Sequence, residues 1–216
     1  MIQTWIADIS SLWDSEILEQ YMKELGLDTV LGAGRQEKAE KIKSVEGKLQ
    51  SIGAGILLTR MRRYYGLGSD FKYNLSHSGK YALCSVEDRR GSSCMHLGCD
   101  IEVIKGCHEV VARRFFTGQE YRLISGISQE EKRTEMFYRY WVLKESFMKA
   151  TRLGMKLPMN AFEIRMEAEG PVLTWKPKEI PGAYFYREYY IEGIPARIAV
   201  CADADTFTEE IRRVYL

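Results

Sequence analysis

The chain has 216 residues, enough for one large domain or two small ones with a buried core. Hydrophobic residues make up 45%, charged residues make up 28% and the net charge is +1, which gives no sign of a surface for nucleic acid or a membrane. No apolar run is long enough to cross a bilayer, and the N-terminus lacks the features of a signal peptide. Five cysteines without a CxxC pair indicate reduced thiols. We therefore expect a cytoplasmic protein.

The first part of the chain predicts a strand, a series of helices and then two strands. The third helix is apolar, whereas the lysine-rich QEKAEK stretch before it is typical of a solvated helix face with Glu–Lys pairs. Asn74, Ser76 and Ser78 are turn formers, so we expect Ser76 and His77 in a polar turn between the two strands. A lone histidine in a turn usually has no chemical role. The elements are a strand over 1–10, helices over 14–25, 36–45 and 48–65, and two strands within 71–86.

Two acidic residues follow in a predicted strand, Leu97–Ile104. Residues two apart share a strand face, so Asp100 and Glu102 point the same way, about 6–7 Å apart. One interpretation is an exposed strand face. The other is a Mg²⁺ site, because Mg²⁺ prefers one or two carboxylates together with substrate phosphates and water.

The second part begins with a predicted helix over 108–116. Thr117 and Glu120 then match a capping box, in which Glu120 has a sufficient structural role. Residues 122–128 continue that helix, and 130–135 form a polar segment before the next one. Prolines punctuate a strand-rich region beyond it. The predicted strands there are 162–166, 172–175, 184–191 and 196–202, with a short helix at 207–215.

The helix predicted for Phe137–Met155 contains the most unusual pattern. Lys144 falls in the middle of its apolar arc, Glu145 lies at the edge, and Lys149 lies one turn past Glu145. Burying an ammonium without a partner is costly. Lys144 therefore either extends its head to water or meets an anion, with Glu145 holding a cation beside it.

These residues combine into one chemical hypothesis. Asp100, Glu102 and Glu145 supply three carboxylates for Mg²⁺, and nearby lysines and a histidine can bind phosphate oxygens. Such a set is typical of phosphoryl transfer, and it leaves the phosphate donor open.

Four motifs, in order, resemble the 4′-phosphopantetheinyl transferases: NLSHS, LGCDIE, RRFFTGQEY and YWVLKESFMKA, beginning at Asn74, Leu97, Arg113 and Tyr140. The length resembles the surfactin-synthetase (Sfp) type. This resemblance implies an α+β fold of two similar halves in a pseudo-twofold arrangement, each with a small antiparallel sheet and helices. The expected halves are 1–104, contacting coenzyme A and ending in the Asp100/Glu102 strand, and 105–216, facing the carrier protein. The site would lie between them.

The resemblance also implies the reaction, which is Mg²⁺-dependent transfer of the 4′-phosphopantetheinyl arm of coenzyme A to a serine of an apo carrier protein, releasing 3′,5′-ADP. Mn²⁺ is the alternative metal. The metal ligands would be Asp100, Glu102 and Glu145. The catalytic residues would be Glu145, Lys144, facing phosphate, and Glu120, a family glutamate sometimes assigned to proton transfer. The coenzyme contacts would be Lys38, Lys41, Lys48, Ser76, His77, Lys144 and Lys149.

One departure affects the coenzyme site. Gln50 stands where the family often carries an arginine, so Lys48 is the expected substitute. The expected partner is an acyl or peptidyl carrier protein. It would dock by charge on Arg60, Arg62 and Arg63 or on Arg113 and Arg114, and the enzyme would be a monomer. The alternatives are a non-catalytic coenzyme A or carrier-protein binding module and another Mg²⁺-dependent phosphotransferase, although no P-loop is present.

Overall fold

The computed structural model describes residues 1–26, 32–88, 94–106 and 108–216. Strands and helices are numbered along the chain. The strands are β1 (Ile2–Asp8), β2 (Tyr73–Ser78), β3 (Tyr81–Glu87), β4 (Leu97–Val103), β5 (Glu163–Glu167), β6 (Gly170–Trp175), β7 (Phe185–Tyr189), β8 (Ala196–Ala202) and β9 (Arg212–Tyr215). The helices are α1 (Ser15–Gly26), α2 (Gly32–Glu40), α3 (Val45–Tyr64), α4 (Glu109–Phe115), α5 (Gly118–Ser125) and α6 (Glu130–Ala150).

The chain divides into two compact units. The first unit comprises Met1–Gly91 and Thr208–Leu216, and the second comprises Ser92–Phe207. The predicted boundary after residue 104 is therefore wrong, and so is the assignment of the acidic strand to the first half. Strand β4 belongs to the second unit because it pairs with β8 along its whole length, from Leu97 opposite Ala202 to Val103 opposite Ala196.

The first unit is built on a mixed sheet. In its described part the strand order is β2-β3-β1-β9, with β9 parallel to β1 and the other pairs antiparallel. Helix α3 packs on this sheet and is apolar on more than one face, since Ile56, Leu57 and Leu58 are all without solvent exposure. The Ser44 hydroxyl accepts a hydrogen bond from the Gly47 amide and so caps the start of α3.

The second unit carries the long helix α6 against an antiparallel sheet of order β4-β8-β7. The hairpin of β5 and β6 forms a separate pair. The core on α6 includes Leu143, Phe147 and Ala150, which are fully buried. The predicted capping box at the start of α5 is confirmed, with Thr117 and Glu120 bonding each other's backbone amides. The prediction of an α+β fold is likewise confirmed.

Three local predictions were wrong. Helix α6 begins at Glu130, seven residues before the first apolar residue of the predicted stretch, and it ends at Ala150. The end follows from the left-handed backbone of Arg152, with φ of 59°. His77 lies within β2, because the turn is formed by Gly79 and Lys80. The tail forms strand β9 beside β1 rather than a helix.

Within the described ranges, no helix combines the length and hydropathy needed to span a membrane.

Candidate functional site

The acidic strand meets α6 at very close range. A Cβ atom on Gly98 would collide with the carbonyl oxygen of Ser146 and the amide nitrogen of Ala150. Only glycine fits where the two backbones approach this closely. Asp100 follows two residues later on the same face of β4 and is therefore carried against α6.

Asp100 is held by a lysine of α6. Its side chain is 4% exposed, and its Oδ1 accepts a hydrogen bond from Lys149 Nζ at 2.7 Å. The same ammonium donates to the carbonyl of Cys99 at 3.2 Å. Burial alone lowers the pKa of Lys149, but Asp100 and the other acceptors raise it above its ordinary value. The lysine is therefore charged at neutral pH.

Glu145 shares this electrostatic environment. Burial, followed by repulsion from Asp100, raises the pKa of the half-buried Glu145 carboxyl, and Glu102 adds to the effect while Lys149 opposes it. The charges of Asp100 and Glu102 thus act on Glu145 within the second unit.

The donor set fits a hard divalent cation in its chemistry, since Mg²⁺ and Mn²⁺ both accept carboxylate oxygens. The three side chains are not, however, arranged as a complete metal-binding site. Among residues 1–26, 32–88, 94–106 and 108–216, no three or more His, Cys, Asp or Glu side chains are gathered so that they could hold a metal ion. The Lys149 ammonium instead provides the cationic partner of Asp100.

The prediction that Lys144 faces phosphate is contradicted. Lys144 is fully buried, and its Nζ lies 2.8 Å from the Met159 carbonyl, 2.9 Å from the Phe162 carbonyl and 2.9 Å from Glu120 Oε1. These three acceptors match the three donors of an ammonium. Burial lowers the pKa of Lys144 to about 8, while Glu120 acts in the opposite direction. The hypothesis that Lys144 extends its head to water is therefore wrong, whereas the hypothesis that it meets an anion is confirmed, because that anion is the Glu120 carboxylate.

Glu120 is likewise bound within the core. It is 1% exposed. Its Oε2 accepts from the Thr117 amide at 2.9 Å, and its Oε1 accepts from the Ile164 amide at 2.9 Å as well as from Lys144. Both oxygens are bound within the core and give Glu120 a structural role, and its catalytic role stays a prediction.

The remaining predicted site residues lie in the first unit. Ser76 is buried and His77 exposed on β2, Lys38 and Lys41 are exposed at the end of α2, and half-buried Lys48 lies in the first turns of α3. The expected Glu–Lys pairing is confirmed for Lys41, whose Nζ lies 2.6 Å from Glu37 Oε1. Their assignment as coenzyme contacts stays a prediction.

Two features of the site were missed from the sequence. The first is Gly98, although a glycine within a strand pattern signals close backbone approach. The second is the Asp100–Lys149 pair. Its residues lie 49 positions apart, and no local pattern joins them.

A cavity of about 310 Å³ adjoins the acidic strand. Val103, Val111, Phe137 and Trp141 form its apolar walls, and the rest of the lining comes from Glu102, Lys105, His108 and Tyr138.

Comparison with known proteins identifies the family. The 4′-phosphopantetheinyl transferase superfamily matches residues 96–201, about half of the chain, which contain the acidic strand and α6. The 4′-phosphopantetheinyl transferase Sfp of Bacillus subtilis (strain 168) is 32% identical over 146 residues. The chain belongs to the 4′-phosphopantetheinyl transferase superfamily. The predicted resemblance to the Sfp type is confirmed.

Coverage differs among these relatives. The match to Sfp takes in 67% of this chain and 61% of that protein, so the chain spans about three fifths of its length. Another Bacillus subtilis 4′-phosphopantetheinyl transferase is 28% identical over 210 residues, covering 85% of this chain and 88% of the relative. A holo-(acyl-carrier-protein) synthase of Bacillus anthracis str. Ames, solved in complex with CoA (3′,5′-ADP), aligns at a TM-score of 0.39 and 16% identity, covering 51% of this chain and 96% of that one.

Proposed function

We propose that the protein transfers the 4′-phosphopantetheinyl group of coenzyme A to a serine hydroxyl of an apo acyl or peptidyl carrier protein. The serine oxygen forms a bond to the phosphorus that bears the pantetheine arm, the bond to the bridging oxygen breaks, and 3′,5′-ADP leaves. The observation that carries the proposal is the contact of the acidic strand β4 with Glu145 and Lys149 of α6, inside the region that matches the superfamily.

Glu145 is the proposed acceptor of the serine proton. Burial and the neighbouring carboxylates raise the pKa of Glu145 in the metal-free protein, and a bound cation would lower it again. It is half-buried and keeps an exposed portion, unlike Glu120.

The proposed metal is Mg²⁺, with Mn²⁺ as the alternative, held by Asp100, Glu102 and Glu145. When bound, the cation supplies positive charge to the pyrophosphate oxygens. Lys149 provides a further positive charge from α6, and its four-carbon stem allows its head to reorient.

The proposed coenzyme contacts outside this unit are Ser76 and His77 on β2, Lys38 and Lys41 on α2, and Lys48 on α3. A serine hydroxyl, a histidine and lysines are suitable donors for phosphate oxygens. The cavity beside Glu102 combines apolar walls with a few polar groups, which suits the neutral, amide-bearing pantetheine arm. The four cysteines that the structure describes are free thiols, which agrees with a cytoplasmic location.

The test of this function is the intact mass of an apo carrier protein after incubation with the protein, coenzyme A and Mg²⁺. We expect a gain of one phosphopantetheinyl arm. The rate is expected to fall roughly 100-fold or more in Glu145→Gln and in Glu102→Gln, because each change removes a negative charge from the reacting centre.

Glu167→Gln is the matched control, since Glu167 is exposed on β5 away from the acidic strand. It should transfer at the wild-type rate. Absence of transfer to both acyl and peptidyl carrier proteins, with coenzyme A still bound, would favour a binding module. Activity on nucleoside triphosphates without coenzyme A would favour another phosphotransferase.

The carrier protein is proposed to dock on α4. Arg113 and Arg114 are exposed there. Arg60 is a poorer candidate, because its guanidinium already binds Glu24 through two hydrogen bonds of 3.1 and 3.0 Å. We propose further that the enzyme acts as a monomer.

Reversing both charges, Arg113→Glu with Arg114→Glu, is expected to slow transfer roughly tenfold at low salt, because carrier proteins are usually acidic and electrostatic steering would be lost. The difference should shrink as salt rises. The measurement is the initial rate against carrier concentration at several salt concentrations. Arg165→Glu on β5 is the control, and equal rates and salt dependence in all three proteins would contradict this docking surface.

A further inference from the structure

Lys149 is the cationic partner of a carboxylate to which the proposed metal ion would bind. Its ammonium lies 2.7 Å from Oδ1 of Asp100, one of the three carboxylates assigned to the cation. A divalent cation bound to Asp100 would stand next to this positive charge and be repelled by it. A metal ion at Asp100 would therefore compete with Lys149 for one buried carboxylate.

We propose that Lys149 is an internal counter-ion that stabilises Asp100 in the metal-free protein and leaves it when an anionic pyrophosphate group binds. This inference rests on the proposed function, since the pyrophosphate is that of coenzyme A. It makes metal and coenzyme binding cooperative, because the coenzyme draws away the charge that opposes the metal.

The surroundings of Lys149 suit such an exchange. The side chain of Lys149 is 28% exposed, whereas that of Asp100 is 4% exposed, so the lysine head can turn to a ligand while the carboxylate stays in place. Lys149 also lies one helical turn from Glu145 on the same side of α6. An anion near Glu145 is therefore within the region that a rotated lysine can reach.

Lys144 provides the internal contrast. It is also a lysine of α6 paired with a carboxylate, but it is fully buried among two carbonyls and Glu120. A change of partner there would leave buried acceptors without a donor. Of these two lysines, Lys149 is the one that combines a buried carboxylate partner with an exposed portion.

The experiment measures Mn²⁺ binding to the full chain by electron paramagnetic resonance of free Mn²⁺, first without coenzyme A. We expect Lys149→Gln to bind Mn²⁺ roughly tenfold more tightly than the wild type, because the competing charge is gone. Lys149→Arg retains the charge and should bind as weakly as the wild type. Asp100→Asn removes the shared ligand and should bind more weakly than Lys149→Gln.

The second arm repeats the Mn²⁺ titration with saturating coenzyme A. The wild-type affinity should rise roughly tenfold, and the rise should be much smaller in Lys149→Gln. By linkage, Mn²⁺ must raise the affinity for coenzyme A by the same factor, which calorimetry can measure.

The proposal would be overturned if Lys149→Gln bound Mn²⁺ no more tightly than the wild type. This outcome counts only if the circular dichroism spectrum of the variant is unchanged. If Lys149→Gln does not fold, Lys149→Met replaces it under the same criterion. The first arm needs neither coenzyme A nor a carrier protein. A failure of transfer in the mass experiment would therefore reject the proposed function and leave the result on Lys149 standing.

Discussion

Lys144→Met is expected to lower the free energy of unfolding by about 3–5 kcal/mol, because it leaves the Glu120 carboxylate buried without its cationic partner. The pair is inaccessible to solvent, with side chains 0% and 1% exposed and an Nζ–Oε1 distance of 2.9 Å. The change also removes the donor to the carbonyls of Met159 and Phe162. Urea unfolding followed by circular dichroism measures the loss.

The control for this prediction is Lys156→Met, a change of the same chemistry at an exposed position, expected to alter stability by about 0.5 kcal/mol or less. Glu120→Gln and the double variant complete a thermodynamic cycle. The double variant should be more stable than the sum of the single changes predicts, because no charge is left unpaired. If Lys144→Met had the same free energy of unfolding as Lys156→Met, the result would contradict the buried ion pair.

The same variants separate a structural role from a catalytic one. If Lys144 bound a phosphate, as the family resemblance implied, Lys144→Met would raise the KM for coenzyme A and leave the unfolding transition nearly unchanged. The structure predicts the reverse, because the lysine's three donors are satisfied inside the core. The transfer rate per folded molecule should therefore change much less than the stability.

The local periodicity of the sequence was sufficient to predict the acidic strand. The alternation in LGCDIE placed Asp100 and Glu102 on one face, and β4 has that register against β8. The 3.6-residue period likewise placed Lys144 in the apolar arc of α6 and Glu145 and Lys149 together beside it. These predictions needed only neighbouring residues.

The partners of those residues could not be read from the sequence, because they come from distant segments. The acceptors of Lys144 lie in the irregular stretch before β5 and in α5, and no motif marks a carbonyl as a ligand. Residues 130–135 carry no apolar stripe and were predicted only as a polar segment before the helix, yet Glu130 and Glu131 suit the positive end of the helix dipole. Strand β9 depends on pairing with β1, some 200 positions earlier.

Gly98→Ala is expected to lower the free energy of unfolding by about 3 kcal/mol, the upper part of the range for overpacked sites. The added methyl would collide with the backbone of Ser146 and Ala150, and it would lie 3.0 Å from the carbonyl carbon of Lys149. Backbone atoms of a helix cannot move aside as a flexible side chain can. Strand β4 must therefore shift away from α6.

This shift should also impair the site, because Asp100 is only two residues away. Weaker Mn²⁺ binding and transfer slower by roughly 100-fold are expected in the folded fraction of Gly98→Ala, since a displacement of about 1 Å is enough for such a loss. Gly106→Ala is the matched control, as no atom lies within 4 Å of its added Cβ. Wild-type stability and Mn²⁺ affinity in Gly98→Ala would mean that the close approach of β4 and α6 does not set the position of Asp100. The loss of both would make this glycine as necessary to the site as its carboxylates.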